Sequence, residues 1–95
     1  MFPNTTKILI CDDMLTMRKI LKKCLGEIGL TNVVEAKDGA MGFEEFNKAL
    51  TEKAPFGLVL SDWNMPNLMG IELLKKVRAH PEASKTPFVL VTADS

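Results

Sequence analysis

Residues 58–70 of the chain read LVLSDWNMPNLMG, and this stretch predicts the centre of the fold. Its first part is an apolar run of strand length that ends abruptly at the carboxylate of Asp62. Asn64, Pro66 and Asn67 predict a turn, and Gly70 begins a helical pattern. Open α/β sheets place their ligand sites outside the carboxyl ends of the strands, so Asp62 is the first candidate for a functional residue.

The composition indicates one small domain and disfavours several classes of protein. The 95 residues include 12 Lys plus Arg and 12 Asp plus Glu, so the balanced charge gives no reason to expect nucleic acid or an anionic membrane as a partner. No apolar run approaches the roughly 20 residues of a membrane span, and the N-terminus has no signal-peptide core. We therefore expect a cytoplasmic domain with Cys11 and Cys24 as buried free thiols, because one distant histidine argues against a metal pair.

Strands and helices are predicted to alternate along the chain. Apolar runs predict strands at residues 7–11, 32–36, 57–61 and 88–92. In the helix predicted over residues 68–79, the spacing places Leu68, Ile71, Leu74 and Val77 towards the core. The order β-α-β-α-β-α-β, with connections of crossover length, indicates an α/β fold with a parallel sheet wound by right-handed crossovers.

The first predicted helix is amphipathic. Its apolar stripe consists of Met17, Ile20, Leu21, Cys24, Leu25 and Ile28, and its other face carries Arg18, Lys19, Lys22 and Lys23. The basic face could bind an acidic partner, but a solvated helix surface explains it as well. We assign no role to His80, because a single histidine before a proline in a polar loop is usually solvated.

Acidic residues follow two of the predicted strands, and a threonine follows another. Asp12 and Asp13 come after the first strand, Asp62 after the third, and Thr92 lies at the end of the fourth. Carboxylates about 4 Å apart repel each other by about 4 kcal/mol at an effective dielectric of about 20, so such a cluster takes up protons or binds a cation. Oxygen ligands alone favour Mg²⁺, whose remaining positions suit phosphate oxygens. The sequence thus predicts a magnesium-dependent phosphoryl site with a carboxylate nucleophile, whereas the alternative is a set of solvated loop acids.

These motifs resemble the receiver domain of two-component response regulators, in particular the CheY-like domains of chemotaxis. The matching strings are ILICDD at 8–13, TMR at 16–18, EAKDG at 35–39, SDWNMPN at 61–67 and VLVTA at 89–93. The resemblance covers nearly all of the chain. It implies a flavodoxin-like, doubly wound parallel sheet with strand order 2-1-3-4.

The resemblance also implies roles for individual residues. Asp62 would accept a phosphoryl group from a histidine kinase of the chemotaxis type. Mg²⁺, or Mn²⁺, would be bound by Asp62, by Asp13 directly, by Asp12 mainly through water, and by the backbone carbonyl of Asn64. Thr92 would contact the phosphoryl group with its hydroxyl, while Asn64 and Asp94 would tune the rate at which that group is lost. The intact protein would be a phosphoprotein that acts on the flagellar motor switch and controls flagellar rotation.

The sequence departs from the family pattern at its C-terminus. Receivers continue with a fourth helix, a fifth strand and a fifth helix, a region that carries a lysine for the phosphoryl group. We therefore expect residues 1–95 to be a receiver domain incomplete at the C-terminus. We also expect it to self-associate, either through the fourth strand edge to edge or by swapping elements across a two-fold axis. The reason is an uncovered sheet face, which would carry side chains from Ile8, Ile10, Val59 and Val89 or their neighbours.

Alternatives to the phosphoacceptor role remain open. The chain could be a receiver-fold interaction module that works without phosphorylation, or a non-functional fragment of a longer receiver. We expect no enzyme beyond catalysis of its own phosphorylation and dephosphorylation. A haloacid-dehalogenase-type hydrolase would need Asp-x-Asp after the first strand, whereas Trp63 and Asn64 follow Asp62 here. A dinucleotide site is disfavoured because Asp12 and Asp13 occupy the place of its glycine-rich loop.

Overall fold

The computed structural model describes residues 2–91 of the chain. They form four parallel strands in the order β2-β1-β3-β4, which confirms the predicted strand order. The elements are β1 (Ile8–Cys11), α1 (Leu15–Glu27), β2 (Val33–Ala36), α2 (Gly39–Thr51), β3 (Leu58–Asp62), α3 (Gly70–Arg78), a 3₁₀ turn (Pro81–Ala83) and β4 (Phe88–Val91). Two predicted site residues, Thr92 and Asp94, lie outside the described residues.

The register of the strands decides which side chains meet at the carboxyl edge of the sheet. Cys11 of β1 pairs with Ser61 of β3, and Asp62 pairs with Val91 of β4. β1 is buried at all of its positions, as expected for a central strand covered on both faces. The residues that follow Cys11 and Ser61 therefore emerge side by side from the middle of the sheet.

One face of the sheet is covered by α2 and α3, and it holds the larger part of the core. Its fully buried members include Leu9, Phe46, Val59, Leu73 and Val77. α2 begins at a side-chain cap, because Asp38 Oδ1 accepts a hydrogen bond from the Met41 N–H at 2.7 Å. This cap places the N-terminus of α2 beside the carboxyl edge of the sheet.

The other face is covered by α1 among the described residues, and the cover is partial. Ile8, Ile10 and Leu58 pack there against Leu25 and Leu30. Of the residues expected on this face, Val59 does not lie there, whereas its neighbours Leu58 and Leu60 do. Val59 is fully buried on the side of α2 and α3, because successive residues of a strand point to opposite faces.

The apolar stripe of α1 is wider than the surface that it covers. Leu25 is buried, whereas Ile20 and Ile28 are 50% and 71% exposed. The prediction that Cys24 is buried was wrong as well, since its thiol lies at the exposed surface of the helix. None of the helices in the described part of the chain is both long and apolar enough to cross a membrane.

The inward face of α3 is rotated relative to the predicted one. The helix begins at Gly70, and Leu73 and Val77 are fully buried, whereas Leu74 is only half-buried. The reason is the close approach of Gly70 to β3, where an added Cβ would lie 2.1 Å from the Asp62 carbonyl oxygen. This contact fixes the rotation of the helix, and the apolar spacing alone does not reveal it.

His80 is packed and hydrogen-bonded, so the expectation of a solvated side chain was wrong. Its Nε2 lies 2.7 Å from Asn47 Oδ1. Its ring lies 6.1 Å from the ring centroids of both Phe43 and Phe46. The contacts join the end of α3 to α2, which is a structural role.

Candidate functional site

Three carboxylates converge at the carboxyl edge of the sheet. Asp12, Asp13 and Asp62 each offer an oxygen, and these oxygens lie within 4.8 Å of one another. Asp12 is buried, Asp62 is half-buried, and Asp13 is exposed. The structure therefore brings together the three acids that the strand ends predict, with an open side towards solvent at Asp13.

The backbone around Asp12 holds its carboxyl group in place. The Asp12 N–H donates to the Ala36 carbonyl at 3.0 Å, and Asp12 Oδ1 accepts from the Met14 N–H at 2.9 Å. Burial raises the pKa of this carboxyl, and the negative charges of Asp62 and Asp13 raise it further, against the Met14 hydrogen bond and the charge of Arg18. A divalent cation would relieve this accumulation of negative charge.

Asp62 is oriented by the residue that follows it. Its Oδ1 accepts a hydrogen bond from the Trp63 N–H at 2.8 Å. Its Oδ2 has no hydrogen-bond partner among residues 2–91. One oxygen of Asp62 is thus fixed, while the half-buried carboxylate keeps an acceptor position for a cation or an electrophile.

The loop between β3 and α3 is tied to the N-terminus of α2. Asn67 adopts a positive φ of 70° and donates from Nδ2 to Asp38 Oδ2 at 3.1 Å. The Gly70 N–H donates to the Trp63 carbonyl at 3.0 Å, which closes the loop onto the end of β3. The loop that carries Asn64 is therefore held at both ends, although Asn64 itself is exposed and its predicted role as a metal ligand stays a prediction.

Cys11 lies directly before the acidic pair, but its Sγ points into the core towards Gly42 of α2. It is fully buried, and burial, with the charges of Asp38 and Asp12, raises the pKa of its thiol to about 12. The Cys11 side chain therefore lies in the core and not at the site, where the three acids offer oxygen ligands. Carboxylate and water oxygens are the ligands that Mg²⁺ prefers, and the acidic cluster fits this ion.

The sequence analysis did not predict a role near the site for two residues, Arg18 and Glu35. Arg18 was placed on a solvated basic face, whereas its side chain is only 14% exposed and binds the backbone of Asp12. Its partner is Glu35, the third residue of β2. Two signals were available, because Arg18 lies one turn into the helix that follows the acidic pair and both residues fall in strings that match the family pattern.

Comparison with known proteins agrees with this geometry. The model of the response regulator receiver domain matches residues 8–95. The chemotaxis protein CheY-3 of Vibrio cholerae is 42% identical over 94% of this chain and 65% of its own length. CheY of Pseudomonas aeruginosa is 40% identical over 94% of this chain and 68% of its own length.

A solved structure shows the same fold. CheY4 of Vibrio cholerae superposes with a TM-score of 0.77 at 31% identity, over 95% of this chain and 70% of that one. The chain spans about two thirds of the length of the chemotaxis proteins that it matches. With 88 of its residues inside the match to the family, it belongs to the response regulator receiver domains, of the CheY type.

Proposed function

We propose that the chain is the phosphoacceptor domain of a chemotaxis-type two-component system and that Asp62 is the acceptor. One observation carries the proposal, namely three carboxylates within 4.8 Å of one another at the carboxyl edge of the sheet. Of the three, Asp62 lies at the end of β3, the strand between β1 and β4, and is half-buried, whereas Asp12 is buried and Asp13 is exposed. The relatives named CheY support a histidine kinase as donor and chemotaxis as the pathway.

The reaction requires little from the protein beyond position and charge. A carboxylate oxygen of Asp62 forms the new O–P bond as the P–N bond to the kinase histidine breaks, and the imidazole takes the electron pair. Mg²⁺, when bound, neutralises the charge that gathers on the phosphoryl oxygens. Asp12 and Asp13 would hold the ion beside Asp62, and Thr92 would supply the hydroxyl contact that the family pattern implies. The chain is not an enzyme with an external substrate in this scheme.

Transfer from a small donor is expected to modify Asp62 and no other residue. Acetyl phosphate with Mg²⁺ should add at most one phosphoryl group per chain, in low yield, measured by intact mass, and chelation with EDTA should abolish the adduct. The Asp62→Asn variant keeps the shape but not the nucleophile, so it should gain no adduct. Glu82→Gln, an exposed acid far from the site in sequence, should label as the unchanged chain does.

The outcomes separate this proposal from its alternatives. An adduct that persists in Asp62→Asn would place the acceptor elsewhere and contradict the assignment. A chain that binds Mg²⁺ but takes up no phosphoryl group would favour an interaction module that works without phosphorylation. Repeated turnover of a phosphomonoester would favour a hydrolase.

We also expect the 95-residue chain to associate with a second copy. β4 has no partner strand on its outer side among the described residues, and Val89 at this edge is 47% exposed. Val89 pairs with Leu60, so it lies on the face that α1 covers only in part. An exposed apolar edge strand favours pairing between chains.

Light scattering over a concentration series measures this association. The average molar mass should rise above that of the monomer as the protein concentration increases. In Val89→Lys, this rise should occur at higher concentration. Met41→Lys is the matched control, because Met41 is an exposed apolar residue on α2. A cooperative, folded monomer at every concentration tested would contradict the prediction.

A further inference from the structure

Arg18 connects the loop of the acidic pair to the end of β2. Its Nη1 donates to the backbone carbonyl of Asp12 at 2.7 Å, and its Nε donates to Glu35 Oε1 at 3.0 Å. Both hydrogen bonds come from a charged donor and are stronger than bonds between neutral groups, and the one to Asp12 is short. The side chain is 14% exposed, so the guanidinium is largely enclosed between α1 and the sheet.

Both carboxylate oxygens of Glu35 accept hydrogen bonds, one from Arg18 and one from Lys22. While Oε1 accepts from Arg18, Oε2 accepts from Lys22 Nζ at 3.2 Å. Burial acts to raise the pKa of Glu35, but the hydrogen bonds and charges of Lys22 and Arg18 outweigh it and lower the pKa. Glu35 is therefore anionic at neutral pH and is a fixed anchor for Arg18.

The carbonyl of Asp12, which accepts from Arg18, lies between the two acidic residues. This carbonyl belongs to the peptide group that joins Asp12 to Asp13. Its orientation therefore sets the position and direction of the Cα–Cβ bond of Asp13. The Asp12 N–H is fixed by Ala36, and the Asp12 carboxyl is fixed by Met14. Arg18 supplies the remaining contact, which turns the peptide between the two acids.

The charge of Arg18 cannot explain its position beside a cation site. A guanidinium repels a divalent cation, so by its charge alone Arg18 would weaken metal binding. An arginine held here by a dedicated carboxylate needs another function, and its hydrogen bond to the Asp12 carbonyl provides one. Groups that orient metal ligands without touching the metal commonly change affinity by about 10- to 100-fold.

We propose that Arg18, anchored by Glu35, is a positioning residue that turns the Asp12–Asp13 peptide so that both carboxylates converge with Asp62 on a divalent cation. This inference rests on the proposed function, because that function requires the cation. According to this inference, Arg18 strengthens metal binding, whereas its positive charge alone would weaken it.

The test is Mn²⁺ binding to the 95-residue chain at pH 8, followed by the loss of the electron paramagnetic resonance signal of free Mn²⁺. Arg18→Met should weaken binding by about tenfold. Arg18→Lys keeps the charge but lacks the two-pronged donor, so it should also weaken binding. Lys19→Met removes the same charge from the neighbouring exposed position and should not weaken binding. Asp13→Ala removes a proposed ligand, so its Mn²⁺ affinity gives the reference value for a site with one ligand fewer.

A purely electrostatic role predicts tighter binding in Arg18→Met and unchanged binding in Arg18→Lys, and either result would overturn the proposal. Circular dichroism and urea midpoints report whether each variant folds. If Arg18→Met does not fold, Arg18→Lys decides, because it preserves the charge opposite Glu35.

Failure of this inference differs from failure of the proposed function. Normal Mn²⁺ affinity in Arg18→Met, with Asp62 still phosphorylated in the unchanged chain, overturns the inference alone. Weakened Mn²⁺ binding in Arg18→Met, with no phosphorylation of the unchanged chain, supports the inference and rejects the phosphoacceptor role. Absence of Mn²⁺ binding in the unchanged chain rejects the metal site and the inference together.

Discussion

Gly70→Ala is expected to remove about 3 kcal/mol or more from the free energy of unfolding. The added Cβ would lie 2.1 Å from the Asp62 carbonyl oxygen and 2.9 Å from Leu90 Cδ2. The carbonyl belongs to the backbone of β3, so it cannot move without disturbing the sheet. Total stabilities of small domains are only about 5–15 kcal/mol, and the loss should be evident as a much lower urea midpoint.

Gly26→Ala is the matched control for that substitution. Gly26 lies inside α1, and a Cβ added there would meet no atom within 4 Å. Alanine is better than glycine by about 1 kcal/mol in a helix interior and by less at the penultimate residue of α1, so this variant should not lower the midpoint. Equal midpoints in the Gly70→Ala variant and the unchanged chain would show that α3 can move away from β3 without cost.

Gly70→Ala should also damage the site. The clash falls on Asp62, the proposed phosphoryl acceptor, and the Gly70 N–H donates to the carbonyl of Trp63, the next residue. Any helix movement that relieves the clash therefore shifts the strand end that positions Asp62. We expect phosphorylation by acetyl phosphate to fall even where the variant remains folded.

The predictable part of the site depended on strand ends. Asp12 and Asp62 follow apolar runs that are predicted as parallel strands, and the register of Cys11 with Ser61 brings the two acids together. No side-chain detail was needed for that step, because parallel strands present their carboxyl ends at one edge. The order of the elements and the convergence of the acids were therefore available from the sequence.

The unpredicted part depended on contacts between distant segments. Arg18 looked like one of several basic residues on a helix surface, and only the position of Glu35 at the end of β2 turns it inward. His80 was assigned to solvent because nothing local indicates its bond to Asn47 on α2. Such contacts are set by tertiary packing, which the spacing of residues along one element does not encode.

The apolar stripe of a helix also predicted more burial than the sheet provides. Ile20 and Cys24 belong to the expected face of α1, yet both are exposed, while Leu25 is buried. An amphipathic pattern shows which side of a helix is apolar, but not how wide a surface its partner covers. The sheet surface that α1 leaves uncovered at Val89 is part of the basis for the expected association of two copies.

Leu73→Ala is expected to lower the free energy of unfolding by about 2–5 kcal/mol, the range for truncating a fully buried leucine. Leu73 has no exposed surface and lies in the core between α3 and the sheet, near Gly42 of α2. Leu74→Ala is the control, because Leu74 is half-buried and should cost only about 1 kcal/mol. The apolar spacing alone predicts the reverse order, since it places Leu74 in the core. Urea denaturation of both variants decides between the two rotations of α3, and a larger loss in Leu74→Ala would show that the helix packs with the predicted face.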